Sequence, residues 1–89
     1  MNKARRKELA EIILTLHDEK ENIDKLKSRL EFIIDEEESV MDNMPESLQE
    51  SNRFYTMEEN VNKMGDALDE LDTIVTEIGE VIYDLREIE

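Results

Sequence analysis

The side chains best suited to hold a metal or to move protons near neutral pH are one histidine and 25 carboxylates. Their spacing decides what they can do. His17 has no second histidine beside it, and the chain holds no cysteine. A thiolate zinc site and a disulfide framework are therefore excluded. A bundle-type di-metal site needs an acid three residues before the histidine, and Leu14 stands there. The run Asp35-Glu36-Glu37-Glu38 could attract a divalent cation. Calcium loops, however, turn sharply about a central glycine so that their oxygens converge. Consecutive carboxylates on a helix fan around it instead, and Asp66, Asp69 and Asp72 spread in the same way. No glycine-rich phosphate loop, nucleophile elbow or Ser/His/Asp set exists. The sequence predicts no catalytic residue, no metal site and no cofactor.

What remains is charge, and the elements that present it. The net charge of −14 is unevenly placed. Residues 1–30 hold eight Lys/Arg and six Asp/Glu, or +2. Residues 31–89 hold three and nineteen, or −16. Such an excess disfavours binding to a nucleic acid backbone or an anionic membrane. Charge at this level also favours disorder, unless apolar residues recur with a helical period.

They do recur. With Leu9 at heptad position a, the inner positions of the first half are Leu9, Ile12, Leu16, Glu19, Ile23, Leu26, Leu30, Ile33, Glu37, Val40 and Met44. Nine of these eleven are apolar, which sustains a coiled-coil period. With Phe54 at a, the second half gives Phe54, Met57, Val61, Met64, Leu68, Leu71, Val75, Ile78, Ile82 and Leu85, all apolar. Two glycines and 4% aromatic residues also suit long helices rather than sheets.

Between the runs lies the only proline, Pro45, which should end the first helix near Met44. Ser51 or Thr56 can cap the second, with capping-box spacing at Thr56/Glu59 and at Ser47/Glu50. So short a connection forces antiparallel neighbours. The expected architecture is all-α: one antiparallel, coiled-coil-like hairpin over residues 1–89. Helix one spans about 3–44, the turn about 45–52 and helix two about 53–88.

Each stripe is wider than a two-stranded seam. Helix one adds Ile13, Ile34 and Met41 at e; helix two adds Ala67, Ile74, Val81 and Ile88 at g. A three-position face buries against more than one neighbour. These seven residues therefore predict self-association into a homodimeric four-helix bundle. A different partner helix docking on the same flanks is the other reading.

Further positions stand out. Glu19 and Glu37 interrupt the stripe, either as register-setting layers or as contacts to a basic partner. Phe32 falls on an outward position between Glu31 and Asp35, a hot spot unless the bundle is wide enough to bury it. Gly65 and Gly79, two heptads apart, suggest close approach of a neighbouring backbone. His17, Tyr55 and Tyr83 fall at b and read as surface residues. The basic start Lys3, Arg5, Arg6 and Lys7 opposes the dipole of its own helix and should pair with Asp84, Glu87 and Glu89.

The outward carboxylates form the acidic faces. They are Glu31, Asp35, Glu38 and Asp42 on helix one, with Phe32 among them. On helix two they are Glu59, Asp66, Asp69, Glu70, Glu77, Glu80 and Asp84. They either keep the rod soluble or imitate nucleic acid, which carries one charge per about 1.7 Å of axis. A paired rod approaches that density and a single hairpin does not. Its target would be a basic, nucleic-acid-binding host protein.

The stretch from Glu36 to Ser51, with Asn43-Met44-Pro45-Glu46-Ser47-Leu48-Gln49 at its core and Arg53 and Tyr55 after it, resembles a family of short, acidic, helical accessory proteins. They are encoded in phages and prophages of Gram-positive bacteria. Many members carry glycine after the glutamine, where Glu50 stands here. The resemblance brings no assigned activity. It implies a phage context, in which small acidic proteins often inhibit host enzymes or defence systems, some by mimicking DNA.

No run long enough to span a membrane is present: the longest aliphatic stretch is Ile12-Ile13-Leu14, against about 20 residues. The basic start looks like a signal n-region, but Glu8 and Glu11 break any apolar continuation. A cytoplasmic location in a bacterial host cell is expected. The functional expectation is a non-catalytic inhibitor acting through its acidic faces. The alternative is an assembly protein acting only through its apolar stripe.

Overall fold

Two helices packed antiparallel make up a rod of 70 × 15 × 14 Å in the computed structural model, which describes residues 1–89. Helix α1 spans Lys3–Asp42 and α2 spans Asn52–Arg86, with no strand. Asn2 caps α1 by accepting the Arg5 amide at 2.9 Å. Ser51 caps α2 through the Phe54 amide at 3.2 Å. Thr56 instead lies inside α2 and donates to the Asn52 carbonyl.

Helix α1 stops two residues before the expected Met44. The Asn43 side chain donates to the Ser39 carbonyl at 2.8 Å, closing the last turn before Pro45 prevents continuation. A single 3-10 turn, Glu46–Leu48, then reverses the chain. Gln49 reaches back to the Met44 carbonyl, and the Ser51 hydroxyl to that of Leu48. No residue adopts a positive φ, so Glu50 stands without strain where a glycine was expected.

Helix α2 presents the predicted face: Phe54 through Leu85 at a and d are all buried or half-buried. Helix α1 does not. Its half-buried seam steps by four and three through Leu9, Ile13, Leu16, Lys20, Ile23, Lys27, Leu30, Ile34, Glu37, Met41 and Met44. The helix is turned so that a and e, rather than a and d, meet α2. Ile13, Ile34 and Met41 therefore fill the hairpin's own seam instead of its flank. Ile12, Leu26, Ile33 and Val40 take the outside, each 44–50% exposed.

Two contacts with α2 go with this phase. Asp72 pairs with Lys27. The Lys20 ammonium lies 3.6 Å from where a side chain on Gly79 would begin. Both lysines are half-buried, as long side chains are when an apolar stem lies along a seam and the charge reaches water. The seam is thin: only Met57 and Ile82 are buried, Ile82 most fully at 4% exposure.

Candidate functional site

At about 100° per residue, His17 lies about 70° to one side of the α1 seam and Ile12 about 70° to the other. Arg86 and His17 bond across the helices at 2.7 Å. A guanidinium only donates, so His17 accepts at Nε2 and holds its proton on Nδ1. His17 is thus half-buried rather than a free surface residue, because α1 is turned. Lys27 and Asp72 pair on the same side. This is the polar face of the hairpin. The opposite face gathers Ile12, Leu26, Ile33 and Val40 from α1 and Ala67, Ile74, Val81 and Ile88 from α2. The four α2 residues stand where the sequence put them, all exposed.

The proposed acidic residues are all exposed. Only some come together. Glu38 of α1 shares a shallow groove with Asp66 and Asp69 of α2, floored by Ile34 and Val61. The groove exists because Gly65 has no side chain, with nothing within 4 Å of where one would start. This notch escaped the sequence reading, because it needs the register of one helix on the other. Glu77 and Glu80 sit with Asp72 along α2 alone. Glu31, Asp35 and Asp42 of α1, and Glu70 and Asp84 of α2, join neither group. Phe32 is 63% exposed, beside Ser28, Arg29 and Ile33. No three acidic or histidine side chains converge as metal ligands would.

Few of these charges are engaged. Lys63 holds Glu59 at 2.9 Å, and the hydrogen bond lowers the carboxyl below its ordinary range. The basic start does not find the acidic end as expected. Arg6 donates to the main-chain oxygens of Glu89 and Met1, while Lys3, Arg5 and Lys7 have no carboxylate within 4 Å.

The hydrogen bond to Asp72 raises Lys27 above its ordinary 10.5, with the charges of Asp72, Asp24 and Glu31 adding to it against desolvation. A raised lysine contributes stability below its unfolded value and loses it as pH climbs through the folded one. The gap in melting temperature between the parent chain and Asp72→Asn should therefore hold at neutral pH and close above pH 10.5. Thermal melts across that range check this. A gap unchanged at high pH would mean that the pair contributes nothing.

The chain matches no family model, no curated protein and no solved structure. No helix is long and apolar enough to cross a membrane.

Proposed function

We propose that this chain is a non-catalytic, acidic binding module that pairs with a second copy into a four-helix bundle and engages a basic protein. One observation carries the reading. Of 25 carboxylates, only Asp24, Glu59 and Asp72 stand in ion pairs; the other twenty-two have no cation within 4 Å. A surface so charged and so little neutralised attracts a cationic partner and repels anions.

Charge spacing supports nucleic-acid imitation by two chains rather than one. Fourteen net charges over 70 Å give one per 5 Å. Two rods side by side give one per about 2.5 Å, near the 1.7 Å of duplex DNA. With the turn motif's likeness to phage accessory proteins, this favours an inhibitor of a host or defence protein that itself binds nucleic acid, in the bacterial cytoplasm.

Reversing Asp66, Asp69, Glu70 and Glu80 to lysine adds two charges at each site and moves the net charge from −14 to −6. Capture of basic nucleic-acid-binding proteins from a bacterial lysate should be salt-sensitive for the parent chain and lost for the variant. Helix content by circular dichroism should not change, because all four residues are exposed. Capture that survives the reversal sinks the acidic reading.

A second reading is favoured by the apolar face, whose seven large aliphatic side chains are 42–50% exposed. Under it the chain is an assembly protein and its carboxylates serve only solubility. Ile33→Asp then abolishes function while the charge reversal leaves it intact.

A further inference from the structure

The hairpin exposes 6964 Å². A compact monomer of its 10.5 kDa mass exposes about 5,400 Å². The seven aliphatic side chains of the apolar face leave on the order of 600 Å² of this, more than most monomers leave in one patch. Two such faces pressed together would bury about 1,200 Å², the lower end of the range for specific interfaces.

We infer that a second copy of this chain covers that face, turned end for end about a two-fold axis through Leu26 and Ile74. This rests on the dimer proposed above and fixes its interface and orientation. A two-fold contact must be self-complementary. The heptad spacing of α1 sets Ile12 opposite Val40, fourteen residues either side of Leu26, and Ile33 opposite the exposed Glu19, seven either side. On α2, Ala67 and Val81 lie seven either side of Ile74. Turned end for end, each α1 lies on the other's α1, with Ile12 opposite Val40 of the second copy and Leu26 opposite itself.

Charge chooses between the two ways of joining the faces. Lys27 stands beside Asp72 and Ile34 near Gly65, so residues 31–69 form the turn end of the rod. They hold twelve carboxylates and two cations, Arg53 and Lys63, or −10. The remaining residues hold thirteen and nine, or −4. With both turns at one end, −20 would gather there. Turned end for end, each acidic end meets the less charged end of the other copy. The same register sets Lys3, Arg5 and Lys7, which have no carboxylate within 4 Å, beside the second copy's turn with its Glu46 and Glu50. A basic cluster that opposes its own helix dipole thus gains a partner.

The absence of native cysteine makes the test clean. Four exposed residues of the apolar face are replaced one at a time, in the full chain: Leu26→Cys, Ile12→Cys, Val40→Cys and Ile88→Cys. A disulfide needs Cα atoms within about 7 Å. After mild oxidation, Leu26→Cys should link to itself. Ile12→Cys should link to Val40→Cys when the two are mixed, and neither should link alone. Native mass should be twice 10.5 kDa. Linkage of Ile12→Cys to Ile88→Cys instead, at that same mass, would overturn the orientation and keep the dimer. A mass of one chain at all concentrations would overturn both.

Discussion

Ile82→Asp should collapse the hairpin, lowering its melting temperature by more than about 20 °C. Ile82 is the most buried residue, at 4% exposure. Truncating a buried isoleucine costs about 2–5 kcal/mol, and leaving an unpaired charge in its place adds about 3–5. A chain of this size has roughly 4–13 kcal/mol to lose, at about 0.05–0.15 per residue. Each kcal/mol is worth about 4–8 °C here. Two helices alone have no third element to hold them when the seam opens. The contrast is Ile33→Asp, at a side chain 50% exposed outside the seam, which should leave the helices formed. Its neighbour Ile34 lies inside the seam, and Ile34→Asp should behave like Ile82→Asp. Melts followed by far-UV circular dichroism separate the cases. Equal melting of the Ile33 and Ile34 variants, compared where both are single chains, would show that α1 is not turned as described.

That pair of neighbours also marks how far the sequence could be read. The period of α2 was legible because a and d are all apolar, so one phase outweighs the rest. In α1 two phases compete. Position d offers Ile12, Leu26, Ile33 and Val40 against Glu19; position e offers Ile13, Ile34 and Met41 against Lys20 and Lys27. Counting apolar residues selects d, yet the helices meet through e. The contacts that go with the e phase stand on the other helix, where Asp72 takes Lys27 and Lys20 lies beside Gly79. Such pairwise information is invisible until the register is known. The same limit hid the Gly65 notch and the bond between His17 and Arg86. The break at Pro45 and the Ser51 cap were legible because both act locally. Asn2 acts as locally, and its type at the start of a helix was a signal that could have been used.

Gly65→Ala with Gly79→Ala should raise the melting temperature by about 8–16 °C, since each exchange in a helix is worth about 1 kcal/mol and each kcal/mol about 4–8 °C. Both glycines lie inside α2 at negative φ, so neither is needed for the backbone's shape. Their spacing suggested close approach of a neighbouring backbone, but inside the hairpin none comes close. A methyl at Gly65 meets nothing within 4 Å, and at Gly79 only the mobile end of Lys20 at 3.6 Å. Both lie on the polar face, opposite the face assigned to the second copy. If that assignment holds, the exchanges leave the dimer intact and the gain from helix propensity is seen in full. If instead a second backbone packs against the glycines, each methyl meets it. Stability then falls and the native mass drops toward one chain. The sign of the temperature shift therefore tests which face of the rod is covered, independently of any cross-link.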